Sequence, residues 1–220
     1  MNGNGKSFII GDLHGCRDML EQMLSMIPWD TEKDDLIFVG DYIDRGNDSK
    51  GVIDILIELI ESSSKVQCLM GNHESLFLEY FLGRDQSAFL LNGGVATLGS
   101  YRINGKIHVP PEHLAFIQSL KTLIELDDYY IVHAGLMPYV QIGRQSIKDK
   151  LWIREEFIFS DYDFGKKVIF GHTPFPSPYV AANKIGLDTG AVYGNKLTCI
   201  ELPDEKFYYV GAKGIDNQLI

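Results

Sequence analysis

The chain has 220 residues, of which 45% are hydrophobic and 23% are charged, as in a folded globular protein with a substantial core. No apolar run approaches the roughly 18 residues that a membrane-spanning helix requires, so a membrane protein is not expected. The formal net charge is −10 and no basic patch is visible, which argues against a nucleic-acid-binding protein.

The first half of the chain alternates predicted strands and helices. Apolar runs predict strands at residues 7–10, 36–39 and 66–70. Apolar side chains at helical spacing follow each run, namely Leu20, Met23, Leu24 and Ile27, then Val52, Ile55, Leu56, Leu59 and Ile60, then Leu76, Phe77 and Tyr80. The strand ends are about 30 residues apart, as in right-handed βαβ units. We therefore expect a parallel sheet that is buried on both faces.

The middle and the last third of the chain differ in pattern. Residues 84–105 match neither period and are expected to be partly irregular, whereas Pro110 and Pro111 can begin a helix. The last third predicts strands at residues 129–132, 168–170, 196–202 and 207–210. Pro203 and Asp204 predict a hairpin turn between the last two strands. The pattern indicates an α/β protein with one mixed sheet or two stacked sheets.

Five predicted strands each end in a short cluster of glycine, aspartate, asparagine and histidine. The clusters are Gly11-Asp12-Leu13-His14-Gly15, Gly40-Asp41-Tyr42-Ile43-Asp44-Arg45-Gly46, Gly71-Asn72-His73-Glu74, His133-Ala134-Gly135 and Gly171-His172-Thr173-Pro174. Ligands bind beyond the carboxyl ends of strands in open α/β sheets, so the five clusters should meet. One such cluster alone is usually a turn or a helix start. Five together predict a metal centre with the ligands Asp12, His14, Asp41, Asn72, His133 and His172.

Six nitrogen and oxygen ligands suit two divalent cations, and this mixture favours Mn²⁺, Fe²⁺ or Zn²⁺ over Ca²⁺. Two ions about 3.5–4 Å apart can clamp both sides of a phosphoryl displacement and activate a water as the nucleophile. Asp41 is expected to bridge the ions, because its strand should lie near the middle of the set. No protein nucleophile is required, and the chain has no Gly-x-Ser-x-Gly motif.

Three further residues are expected to act on the substrate or on its products. His73 directly follows the predicted ligand Asn72, so it should lie near the metals and can protonate the leaving alkoxide. Asp44 could hold the tautomer of that imidazole. Arg45, in the same cluster as Asp44, can bind the equatorial oxygens of a phosphate.

The five clusters resemble, in content, order and spacing, the signature of the phosphoprotein phosphatase family within the metallophosphoesterase superfamily. The resemblance spans residues 11–172, extends to about residue 200 through residues 187–192, and is closest to compact bacterial and bacteriophage members through residues 91–94 and 151–155. It implies one domain over residues 1–220, built as a β-sandwich of two mixed sheets flanked by helices.

The resemblance also implies residue roles. One metal would be held by Asp12, His14 and Asp41, and a second by Asp41, Asn72, His133 and His172. His73 with Asp44 would be the acid dyad. Arg45 and Arg154 would bind phosphate, and Arg154 is proposed through the resemblance alone.

The predicted function is removal of phosphate from phosphoserine and phosphothreonine, so the partner is a phosphorylated protein or a small phosphoester. The alternative is a diadenosine tetraphosphate hydrolase of the same superfamily. Those enzymes typically carry alanine at the position of Asp44 and aspartate at that of Glu74. A third hypothesis, a metal-binding scaffold without activity, is disfavoured because the ligands and the acid are all present.

The expected location is the cytoplasm. No long apolar stretch follows the N-terminus, as a secretory signal would require. The three cysteines, Cys16, Cys68 and Cys199, are scattered and odd in number, which fits a reducing compartment. Mn²⁺ is the expected activating metal, while Fe and Zn fit the same ligands.

Overall fold

The structure is a computed structural model, and it describes residues 5–211. Residues 1–4 and 212–220 of the predicted domain lie outside the described residues. The strands of the described part are β1 (Ser7–Ile10), β2 (Asp35–Phe38), β3 (Val66–Cys68), β4 (Arg102–Ile103), β5 (Lys106–Ile107), β6 (Ile124–Glu125), β7 (Tyr129–Ile131), β8 (Lys167–Phe170), β9 (Tyr179–Val180), β10 (Lys184–Gly186), β11 (Lys196–Leu202) and β12 (Lys206–Gly211). The α-helices are α1 (Arg17–Met26), α2 (Ser49–Ser62), α3 (Asn72–Phe81), α4 (Gln86–Phe89), α5 (Val95–Ser100), α6 (Pro111–Ser119), α7 (Ile147–Trp152) and α8 (Glu155–Ile158).

Ten of these strands form two mixed sheets of five. The first sheet has the order β12-β11-β1-β2-β3. Strands β1, β2 and β3 are parallel, β11 pairs antiparallel with β1, and β12 pairs antiparallel with β11. The second has the order β6-β7-β8-β10-β9, with β7, β8 and β10 parallel between antiparallel edges. Both arrangements confirm the predicted α/β fold with two mixed sheets flanked by helices.

Alternation along the strands divides the core into layers. Ile9 and Ile37 point between the two sheets, where they share an apolar cluster with Ile169 of the second sheet. Phe8 and Phe38 point the other way, into the cluster that the first sheet forms with helices α1, α2 and α3. Because successive side chains on a strand alternate in direction, strands covered on both faces must be apolar at every position. This double burial explains the uninterrupted apolar runs in the sequence.

The segment at residues 84–105, expected to be partly irregular, is mostly helical. Helices α4 and α5 are separated by a kink within Leu90–Gly94, where Gly93 leaves the helical conformation with a φ of +106°. The carbonyl of Gly93 accepts a hydrogen bond from the backbone N–H of Arg45, so this segment lies against the second polar cluster.

The other predicted elements differ from the structure mainly in their bounds. The strand predicted at residues 66–70 ends at Cys68, and the helix predicted at the paired prolines begins at Pro111. The short strands β6, β9 and β10 were not predicted. Among the helices described, none is long and apolar enough to cross a membrane.

Candidate metal centre

The five polar clusters meet in the structure at the carboxyl ends of β1, β2, β3, β7 and β8. Hydrogen bonds join clusters from different sheets. A carboxylate oxygen of Asp12 accepts the backbone N–H of His172 at 2.9 Å. His133 donates its Nδ1–H to the carbonyl of Val39 at 3.0 Å. Both sheets therefore contribute side chains to one site.

Asp41 lies at the middle of this site. Its Oδ2 is 3.5 Å from Nε2 of His14, and its Oδ1 is 3.4 Å from Nε2 of His133. Two groups of side chains have donor atoms close enough to hold a metal ion, His14 with Asp41 and His73, and Asp41 with His133 and His172. Asp41 belongs to both groups, one carboxylate oxygen facing each. This geometry agrees with the bridging position expected of Asp41.

The remaining predicted ligands lie beside these two groups. Oδ1 of Asn72 is 3.0 Å from Nε2 of His133, within the second group. Asp12 accepts a hydrogen bond from the backbone of His172, but it belongs to neither compact group. His73, rather than Asp12, completes the first group with His14 and Asp41. The structure thus brings all six predicted ligands together, although the partition of three residues to the first metal remains a prediction.

Backbone carbonyls set the tautomers of two histidines. Nδ1–H of His14 donates to the carbonyl of Ile43 at 2.8 Å, as His133 does to Val39. Each Nε2 is therefore unprotonated, and its lone pair is available to a donor or to a metal ion. Metal-binding histidines are commonly oriented by such a partner on the second nitrogen.

Two buried polar atoms of the site have no hydrogen-bond partner among the described residues, Oδ1 of Asp12 and Nε2 of His172. Buried polar atoms are almost always satisfied, so this pair requires an explanation. Two glycines bring the backbone close to carboxylates of the site: a Cβ would lie 2.0 Å from Asp12 Oδ1 at Gly171 and 2.1 Å from Asp41 Oδ1 at Gly71. Unpartnered oxygen and imidazole nitrogen atoms in a closely packed site are suitable ligands for divalent cations.

The charges of the site also favour a cation. Burial raises the pKa of Asp12 well above its usual range, and the carboxylates of Asp188 and Asp41 raise it further. Burial lowers the pKa of His14 to about 3 and that of His172 to about 2, which keeps both imidazoles neutral. Divalent metals bind neutral imidazoles and carboxylates, so the uncharged histidines and the closely spaced carboxylates of this site suit a cation.

His73 and Asp44 form a buried pair at the edge of this group. Nδ1 of His73 is 2.6 Å from Oδ2 of Asp44, and both side chains are at most 1% exposed. Burial lowers the pKa of His73, but the carboxylates of Asp41 and Asp44 outweigh it and leave that pKa raised. The Nε2 atom faces the ligands, at 3.9 Å from Oδ2 of Asp41. The arrangement matches the predicted acid dyad.

Backbone strain concentrates at the site. Five of the eight described non-glycine residues with positive φ belong to the predicted site: His14 (41°), Asp41 (53°), Asp44 (73°), Arg45 (68°) and His172 (64°). Such conformations persist only where the surrounding structure holds them, and they cluster at functional sites.

Glu74 holds much of this strained backbone in place. Its two carboxylate oxygens accept the backbone N–H groups of Asp41, Tyr42, Ile43 and Gly71, at 2.9, 2.8, 3.3 and 2.9 Å. The side chain is fully buried. One residue of the third cluster therefore fixes the loop that contains Asp41.

We expect Glu74→Gln to lower the free energy of unfolding by about 2–4 kcal/mol, because the amide NH₂ would face two buried N–H donors that each cost about 1–3 kcal/mol when unpaired. Urea unfolding of the metal-loaded protein measures this. Glu61→Gln, on the exposed side of α2, is the matched control. Equal stability of the Glu74 variant and this control would show that the clamp contributes nothing.

The two predicted phosphate-binding arginines lie beside different ligands. The guanidinium of Arg45 donates to Nε2 of His14 and lies 5.7 Å from the ring centroid of Tyr193. Arg154 donates to Oγ1 of Thr173 at 3.0 Å, next to His172. Each arginine therefore borders one of the two groups around Asp41.

Two buried residues near the site were not predicted as part of it. Asp188 lies just after the three-residue strand β10, which was too short to be predicted, and its carboxylate raises the pKa of Asp12. Thr97 donates to Oδ1 of Asp44 at 2.6 Å. It belongs to α5, in the segment whose pattern was unclear, so no sequence signal indicated it.

Comparison with known proteins gives one family. A sequence model described as calcineurin-like phosphoesterase matches residues 6–204. Serine/threonine-protein phosphatase 1 of Salmonella typhimurium is 32% identical, with 87% of this chain and 89% of that protein covered. An asymmetrical bis(5'-nucleosyl)-tetraphosphatase, PrpE, of Oceanobacillus iheyensis is 26% identical, with 93% and 92% covered.

A solved structure shows the same fold. It is described as that of a candidate diadenosine tetraphosphatase, and it superposes with a TM-score of 0.77 over 97% of both chains at 24% identity. This likeness concerns the arrangement of the strands and helices.

Proposed function

Because the chain belongs to the calcineurin-like phosphoesterase family, as the match over residues 6–204 shows, we propose that it hydrolyses phosphoesters at a centre of two divalent metal ions. The observation that supports two ions is the shared position of Asp41, one oxygen toward His14 and the other toward His133. Asp12, His14 and Asp41 would hold one ion. Asp41, Asn72, His133 and His172 would hold the other, with Mn²⁺ the expected metal.

Bound divalent ions would neutralise phosphate charge and lower the pKa of water to a value usable near neutral pH. The protein supplies the remaining steps. Arg45 and Arg154 bind non-bridging phosphate oxygens through planar N–H donors and orient the ester. His73 gives its Nε2 proton to the departing oxygen, while Asp44 holds Nδ1 and keeps the ring in place.

The first candidate substrate is a bis(5'-nucleosyl) tetraphosphate. The PrpE relatives support it better than the phosphoprotein substrate that we placed first from the sequence. The surface is compatible, because a cavity of about 450 Å³ lies beside Arg154 and Trp152 and another of about 390 Å³ lies beside Arg45 and Val192. Each is within the size range of sites for small ligands. Each cavity is lined by one of the two predicted phosphate-binding arginines.

The second candidate is a phosphoserine or phosphothreonine side chain. The buried pair of His73 and Asp44 favours it, because an alkoxide leaves poorly without a proton whereas a nucleotide phosphate leaves readily. The 32% identity to the Salmonella phosphatase supports the same substrate class.

The experiment compares both substrates on one preparation. The protein is stripped with a chelator and reloaded with Mn²⁺, and kcat/KM is measured for diadenosine tetraphosphate and for a phosphothreonine peptide. We expect no turnover before metal is added and the higher kcat/KM on the dinucleotide. A higher value on the peptide would reverse the order of the two candidates and keep the metal centre. No turnover of either substrate would contradict the hydrolase and favour the scaffold hypothesis.

Two further expectations from the sequence also remain predictions, beside the residue roles and the metal proposed above. They are the single domain over residues 1–220 and the cytoplasmic location.

A further inference from the structure

A buried hydroxyl network surrounds the carboxylate that holds His73. Oδ2 of Asp44 bonds to His73, and its Oδ1 accepts the Thr97 hydroxyl at 2.6 Å. The backbone N–H of Asp44 donates to Oγ1 of Thr97 at 2.8 Å and to Oγ of Ser49 at 3.1 Å. The two hydroxyl oxygens are 3.0 Å apart. Asp44, Ser49 and Thr97 are each 0% exposed.

The direction of every bond in this network follows from counting protons. The single Thr97 proton goes to Oδ1 of Asp44, since an ionised carboxylate can only accept. The Thr97 oxygen is then the acceptor for the N–H of Asp44 and for the Ser49 hydroxyl. All members are satisfied, so the network has one arrangement and holds the carboxylate in one orientation.

Thr97 reaches Asp44 from outside the strand-end clusters. It lies on α5. The Ser100 hydroxyl links α5 to the start of α2, because it donates to the carbonyl of Thr97 and accepts the backbone N–H of Lys50. The same segment contacts the next residue of the second cluster, where Gly93 accepts the N–H of Arg45. The α4–α5 segment is therefore attached to both Asp44 and Arg45.

We propose that Thr97 is a positioning residue for proton delivery: its hydroxyl orients the Asp44 carboxylate, which in turn holds the His73 ring with Nε2 toward the substrate. Thr97 touches neither substrate nor metal ligands. The inference rests on the proposed function, specifically on His73 as the acid. Loss of the Thr97 hydroxyl should therefore slow the esters that need a proton on the leaving oxygen more than those that do not.

The test uses two phosphate monoesters on the Mn²⁺-loaded protein, a phosphoserine peptide with an alkoxide leaving group and p-nitrophenyl phosphate with a stabilised phenolate. For Thr97→Val we expect kcat on the peptide to fall about tenfold, a fraction of the 10²–10⁴-fold that a general acid contributes. The KM for the peptide and the kcat on the nitrophenyl ester should stay within about twofold of the wild type, as expected when binding is intact.

Three variants make the result specific. Thr97→Ser keeps the hydroxyl and should restore the peptide rate. Thr97→Cys, a weaker donor, should give an intermediate loss and serves if the valine variant fails to fold. Thr198→Val removes a different buried hydroxyl, the one bonded to Thr189, and should lower neither rate selectively.

His73→Ala, measured in parallel, separates the two levels of the inference. A selective loss on the peptide in both His73→Ala and Thr97→Val supports the positioning role. A selective loss in His73→Ala with equal losses on both esters, or none, in Thr97→Val and Thr97→Cys overturns the role of Thr97 alone. Absence of any selective loss in His73→Ala, or absence of turnover by the wild type, overturns the acid assignment and with it this inference.

Discussion

Asp41→Ala is expected to lower kcat/KM by about 10³-fold or more, since metal ions supply several kcal/mol of transition-state stabilisation and each 1.36 kcal/mol is a factor of ten. The same variant should lose both metal ions. The reason is geometric: the two oxygens of this carboxylate are 3.5 Å from His14 and 3.4 Å from His133, which belong to different groups of ligands. A residue that serves one ion would leave the other bound.

The charge of Asp41 strengthens this expectation. Burial raises its pKa, but the imidazoles of His133, His73 and His14, where they are protonated, outweigh burial and lower that pKa below the usual range. The carboxylate is therefore ionised at neutral pH and available to two cations at once. Without it, neutral imidazoles and an amide would have to hold the second ion alone.

Elemental analysis of the dialysed protein, together with kcat/KM, measures both effects. Asp204→Ala is the control, because its side chain is 67% exposed and remote in function. We expect about two metal ions per chain in the control, as a two-metal centre requires, and less than one in the Asp41 variant. Two tightly bound ions in Asp41→Ala would contradict the bridge.

His73→Ala is expected to lower turnover of a phosphoserine peptide by about 10²–10⁴-fold, the usual contribution of a general acid. Its Nδ1 is held by Asp44 at 2.6 Å, and its Nε2 faces the predicted metal ligands. The ring can therefore donate a proton to the substrate only through Nε2. The alkoxide of serine depends on that proton. Metal content should be retained, because the six predicted ligands are intact.

Steady-state kinetics on the metal-loaded variant and elemental analysis of the same sample check this prediction. His108→Ala, an exposed histidine outside the site, is the matched control and should behave as the wild type. Wild-type turnover in a metal-loaded His73→Ala protein would contradict the role of His73 as the general acid. Loss of one metal ion would instead identify His73 as a ligand, as its place in the compact group with His14 and Asp41 allows.

Much of the fold could be predicted because burial on both faces makes the central strands uniformly apolar. The runs around Ile9, Ile37 and Ile169 are interrupted only where the chain leaves the sheet. There the polar residues of the site begin, so the same boundary indicated both the strand ends and the candidate ligands. The strands β6, β9 and β10 have two or three residues each, too few for a period to be visible.

The parts of the site that could not be predicted are those that depend on tertiary contacts. Thr97 lies on a short helix after the kink at Gly93, and only the folded chain brings it to Asp44. Glu74 was expected to discriminate between substrates, and the structure shows it accepting four backbone amides. Arg154 directly precedes a four-residue helix with no periodic signal and was proposed only through the family resemblance.

The central claim is that two metal ions share Asp41 and that hydrolysis needs both. The most direct test is a titration of the metal-free protein with Mn²⁺, in which the electron paramagnetic resonance spectrum and the hydrolysis rate are recorded at each addition. We predict binding of two ions per chain, a spin-coupled spectrum because one carboxylate joins the ions, and turnover that rises with the second equivalent. A single uncoupled Mn²⁺ at full activity, or turnover in the metal-free protein, would contradict the claim.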